Sequence, residues 1–75
     1  MTREETLAEA LKAREEEVLM YQINIDNYER AVEKSKDDPE LEEFVGRLKE
    51  LLVSSRLEQK KAKIMLEVIK DQIED

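Results

Sequence analysis

One proline, Pro39, stands at the middle of a 75-residue chain that otherwise holds a single glycine. Asp38 before it is a good helix N-cap, because its carboxylate can accept from the free amides of the next turn. Pro39 suits the first helical position, where its missing N–H costs nothing and its φ is already helical. It also drives Asp38 out of the α region, so an incoming helix must stop ahead of it. Glu40, Glu42 and Glu43 then set negative charge at the positive end of the new helix dipole. So the stretch Ser35–Leu41 ends one helix and starts another, and so short a link joins antiparallel neighbours. The spacing predicts helix 1 over 2–36, a turn over 36–39 and helix 2 over 39–73, one domain across 1–75.

The rest of the composition agrees. Glu, Lys, Leu and Ala without breakers make long helices. Thr2-Arg3-Glu4-Glu5 has capping-box spacing, in which the Thr2 hydroxyl takes the third amide and Glu5 reaches back. Beyond it, Leu11, Val18, Ile25 and Val32 recur every seven residues. Leu7, Arg14, Tyr21, Tyr28 and Ser35 form the companion series. In the second arm Leu41, Val45, Leu48, Leu52, Ser55, Gln59, Ala62, Leu66, Ile69 and Ile73 alternate steps of four and three. Such a seam is the pattern of coiled-coil packing. Phe44, Leu51 and Met65 widen it, while Ser55 and Gln59 weaken its centre.

Antiparallel folding about the turn sets level those residues whose numbers total about 75 or 76. Tyr21 then falls opposite Ser55, Arg14 opposite Ala62, and Tyr28 opposite Leu48. Ile25 meets Leu51 and Leu52. Bulk faces small side chains, as interdigitating layers require. Glu15, Glu16 and Glu17 lie level with Gln59, Lys60 and Lys61, so the acidic cluster is expected to pair with the basic one. Arg14 has a plain reading, with its methylenes on the seam and its head in water, and a sharper one, in which it meets a carboxylate and fixes register.

A second set of apolar residues lies off the seam. Residues 18 to 25 are apolar nearly all round, and a helix of that kind is buried all round. Val18, Leu19, Met20 and Ile23 on the first arm, with Val53, Leu57 and Ile64 on the second, form a belt that the other arm cannot cover. The expected fold is therefore all-α: a two-helix hairpin that assembles into a four-helix bundle dimer or a higher oligomer.

Composition excludes several chemistries. Without histidine there is no histidine-assisted nucleophile, and without cysteine as well there is no structural zinc site and no disulfide framework. Gly46 stands alone within a helix, so there is no phosphate-cradling loop; it is expected to allow close helix approach or simply to be tolerated. The pairs Glu5/Glu9 and Glu29/Glu33 have spacing that suits Mg²⁺ or Ca²⁺, but the plainer reading is a solvated face with cations interspersed. Tyr21 and Tyr28 could stack a base, yet their spacing marks them first as seam residues. Lys60, Lys61 and Lys63 would attract an anion if Glu15–Glu17 did not neutralise them. The amide run around Asn24, Asp26 and Asn27 is unusual inside a helix; it reads as a solvated face or as a partner contact. No enzyme, cofactor or metal site is expected.

The formal net charge of −7 disfavours direct binding to nucleic acid or to an anionic membrane. The longest apolar run, Val18–Tyr21, is far too short to span a bilayer. The opening Met1–Glu5 is acidic where a signal peptide is basic and then apolar. A cytoplasmic chain is expected. Its function reads as that of a small acidic interaction protein, which is the build of adaptors, chaperone-like proteins and small regulators or inhibitors, bacterial and phage-encoded ones among them. Its partners would be itself and another protein. The alternatives are an acidic mimic of nucleic acid that blocks a DNA- or RNA-binding enzyme, and a binder of a small ligand between subunits through Tyr21, Tyr28, Arg14 or Lys60.

Overall fold

The computed structural model describes residues 2–75. Two α-helices of 33 residues each, α1 (Arg3–Ser35) and α2 (Glu42–Glu74), lie against one another as a hairpin. At about 1.5 Å per residue each helix runs about 50 Å, and the Cα trace measures 56 × 15 × 14 Å. The radius of gyration is 17.0 Å, where a compact domain of this length would have about 11 Å. The molecule is a rod two helices thick.

Side-chain caps stand at Thr2 and Asp38. The Thr2 hydroxyl accepts from the Glu5 amide at 3.1 Å, and the Thr6 hydroxyl donates to the Thr2 carbonyl at 3.0 Å. Among the described residues the Glu5 carboxylate makes no return bond, so the capping box is half formed. At the turn, Lys36 ends α1 with its amide on the Val32 carbonyl. Asp38 is extended at φ −99° and ψ 111°, and its carboxylate accepts from the Glu40 amide at 3.0 Å.

Pro39 does not open α2 directly. Pro39–Leu41 forms a single 3₁₀ turn, with Leu41 at φ −104° and ψ 13°, and α2 begins at Glu42. The Asp38 side chain reaches the amide two residues on, not three, which suits that tighter winding. No described residue has positive φ, so the chain reverses without a glycine.

The core is one file of side chains between the helices: Ile25 from α1, with Leu48, Leu52, Ala62 and Ile69 from α2, all buried. Leu7, Leu11, Val18, Tyr21, Tyr28 and Val32, and across from them Leu41, Val45, Ser55 and Leu66, are half-buried along the same file. Ile73 is exposed near the open end. Two helices cannot enclose more than such a strip, since each turns most of its circumference to water.

Gly46 does not serve close approach. It is exposed, and a Cβ built on it meets nothing within 4 Å. Gly46→Ala should therefore raise stability by about 0.5–1 kcal/mol, the helix-propensity difference. Urea melts followed by circular dichroism measure it; a loss of stability would show that the position is needed bare.

Candidate interaction surfaces

Since the seam fixes which way each helix faces, the remaining surface divides into two flanks and two backs. Gln59 settles the orientation. It lies in the seam and is buried, and its amide nitrogen donates both to the Val18 carbonyl at 3.2 Å and to Gln22 Oε1 at 3.0 Å. The Gln22 amide in turn donates to Asp26 Oδ1 at 3.0 Å. Buried amides must find partners or cost stability, and here one polar crossing ties α2 to α1 in a single register. Sequence alone marks Gln59 as a flaw in the seam; the signal that could have revealed its role is Gln22, one level away on the facing helix. The same chain of bonds engages part of the amide run, through Asp26, while Asn24 is half-buried and Asn27 exposed.

The flank that carries Gln22 is charged. Its α1 row is Glu15, Gln22 and Glu29, and its α2 row, read at seven-residue intervals, is Lys49, Arg56, Lys63 and Lys70, all exposed. Arg56 Nη2 meets Glu29 Oε1 at 2.6 Å, the one ion pair between the helices among the described residues. The pairing expected of Glu15–Glu17 with Lys60 and Lys61 is not made. Among the described residues no ion pair joins those two groups; Glu17 is met within its own helix by Arg14 at 3.1 Å, and Lys61 by Glu58 at 3.1 Å. Side chains lean toward the N-terminus of their own helix. In an antiparallel pair this brings Glu29 and Arg56 together although their Cα atoms are not level. Arg14 thus meets a carboxylate on its own turn, not across the seam, with its side chain about one-third exposed.

The opposite flank, the apolar flank, is the less charged of the two. Its α1 row is Ala10, Glu17, Asn24 and Ala31, all half-buried, and its α2 row is Phe44, Leu51, Glu58, Met65 and Gln72, of which Phe44, Leu51 and Met65 are 47%, 39% and 41% exposed. The backs carry the belt. Leu19, Met20, Ile23, Val53, Leu57 and Ile64 are each more than half exposed, with Val53 highest at 67%. Val18 is not among them: it is half-buried and lies on the seam beside Gln59.

No group of three or more carboxylates gathers into a metal-binding cluster among the described residues. Of the spaced pairs, Glu29 engages Arg56 and Glu33 engages Lys36 at 2.8 Å. That contact, first as a hydrogen bond and then as charge attraction, raises the Lys36 pKa above its ordinary value. Tyr21 and Tyr28 are half-buried on the seam, whereas Lys60, Lys61 and Lys63 are exposed. Shallow hollows lie at the two ends of the rod, one beside the turn among Lys36, Pro39, Val45 and Lys49, the other between Leu7, Ala8, Gln72 and Ile73. No described helix is long and apolar enough to cross a membrane.

Compared with protein-family models, with curated proteins and with solved structures, the chain matches none. What it offers for a functional reading is its own surface.

Proposed function

We propose that this is a non-enzymatic interaction protein: a helical hairpin that associates with its own kind and presents helix faces to a protein partner, as an adaptor, chaperone-like protein or regulator does. The observation that carries the proposal is the exposed belt. Leu19, Ile23, Val53, Leu57 and Ile64 stand more than half in water, level with the most buried part of the seam. Apolar surface clustered in this way on the back of each helix marks a place where another protein binds.

The total area argues in the same direction. The chain exposes 6011 Å², where a compact monomer of its mass exposes about 4,800 Å². The excess of about 1,200 Å² exceeds the roughly 800 Å² that each partner buries in a standard interface. Mimicry of nucleic acid is less well supported, because Lys49, Arg56, Lys63 and Lys70 set a cation at every heptad of α2 and interrupt any acidic track.

Light scattering on the purified chain at micromolar concentration is expected to give at least twice the mass of one copy, 8.9 kDa. A helical, cooperatively melting monomer at that concentration would remove self-association from the proposal.

A further inference from the structure

We propose that a second copy of this chain packs on the apolar flank, with both turns at the same end of the bundle, so that α2 of each copy lies on α1 of the other. The inference rests on the self-association proposed above and specifies its face and direction.

In a four-helix bundle each helix has two neighbours, set roughly at right angles around it. The seam supplies the first. The second must approach from one flank or the other. The charged flank is a poor choice, since Glu29 and Arg56 are already joined at 2.6 Å and the rest of its α2 row is Lys49, Lys63 and Lys70. Closing a copy over it would strip water from four cations, against which the facing α1 row sets only Glu15, Gln22 and Glu29, the last already engaged by Arg56. The other flank presents Phe44, Leu51 and Met65, each 39–47% exposed.

Direction follows from size. Counted from the turn, with numbers totalling about 75, Phe44 falls level with Ala31, Leu51 with Asn24, and Met65 with Ala10. Each bulky residue is on α2 and each smaller one on α1. A two-fold axis along the rod places Phe44 of the second copy beside Ala31 of the first, Leu51 beside Asn24 and Met65 beside Ala10, twice over. Large fills small at every one of these levels, as a dense core requires. Turning the second copy end for end instead sets α2 on α2 and α1 on α1. Bulk then meets bulk along one side and alanine meets alanine along the other, which no single helix spacing can satisfy. The remaining level of the flank, Glu17 with Glu58, carries its own cations, Arg14 and Lys61, each at 3.1 Å. The back belt stays outside this bundle, free for the protein partner.

The absence of native cysteine makes the test direct. A nitroxide is placed on the turn through Asp37→Cys, and distances between the labels of two copies are read by pulsed electron resonance. Turns at the same end put the labels about 20–30 Å apart, one helix spacing plus the label arms. An end-for-end dimer of rods 56 Å long puts them at about that length or more. Light scattering on the same sample separates the claims. A monomer fails the self-association reading and this inference with it, whereas a dimer with the long distance fails this inference alone.

Leu51→Glu and Leu57→Glu supply the second readout. The first is expected to weaken the dimer at least tenfold, with helical content kept, and the second to leave it within a factor of about two, because Leu57 is on the back. The reverse pattern overturns the proposal.

Discussion

Gln59→Glu is expected to destabilise the hairpin strongly, and its damage should depend on pH. The Gln59 amide nitrogen donates to two acceptors, the Val18 carbonyl and Gln22 Oε1, in a position only 8% exposed. An ionised carboxylate there has no proton to donate, faces two oxygens and has little water. Loss of paired donors around a buried charge costs about 3 kcal/mol or more. The protonated acid keeps one donor and escapes most of that cost. Burial beside two oxygens therefore raises the folded-state pKa of the introduced group above its unfolded value of about 4.3. The penalty is thus small below pH of about 4, grows as pH rises, and levels off above the folded-state pKa. Urea melts of variant and parent at matched pH and matched chain concentration measure it. A gap that does not change between pH 3 and 7 would mean that the side chain swings into solvent. Gln59→Leu is the informative control. It removes the donor without adding charge, and Gln22 is exposed enough to turn to water, so stability should change by less than about 1 kcal/mol in either direction.

The second large effect belongs to Ile25. It is the most buried large side chain of α1, at 4% exposure, and it faces a strip that includes Leu48 and Leu52. Ile25→Ala removes three carbons and leaves a cavity that two rigid helices cannot close, at a cost of about 2–4 kcal/mol. A domain of this length has about 4–11 kcal/mol in total, so this one change takes a large share of it. Leu57→Ala, made at a position 52% exposed, should cost less than about 0.5 kcal/mol in a dimer packed on the apolar flank. Equal losses in the two variants would mean that the belt is buried in the assembled state as deeply as the seam. Both melts are to be run at one fixed chain concentration, since association adds to apparent stability.

How far the sequence could be read follows from which forces are local. Two long helices and one reversal are legible because Asp38, Pro39 and the scarcity of glycine act on their own neighbourhood. The four-three spacing of Leu41, Val45, Leu48 and Leu52 can be seen for the same reason, since it is a property of a single helix. Pro39 was harder: a proline fits the first turn of either helix type, and only the reach of the Asp38 carboxylate to the Glu40 amide selects the tighter one. The ion pairs were harder still. Level on the rod follows from residue number, but being level does not make a pair: Glu17 takes Arg14 and Lys61 takes Glu58, each one turn away on its own helix. Gln59 could not be read because its value depends on Gln22, a residue 37 positions away. The apolar flank was present in the sequence as Phe44, Leu51 and Met65. It became a face only once Arg56 and Glu29 had shown which side of the seam was the other one.

The tight reversal at Asp38 and Pro39 also sets the order in which the rod can form. Once Ser35 and Leu41 are brought together, every further layer adds contacts between residues already held close, with little new loop to close. Assembly is then expected to run like a zip from the proline toward Leu7 and Ile69, and to be fast, as in other helical hairpins and bundles. Loosening runs the other way. The ends near Thr2 and Asp75 part first, and the layers next to the turn hold longest.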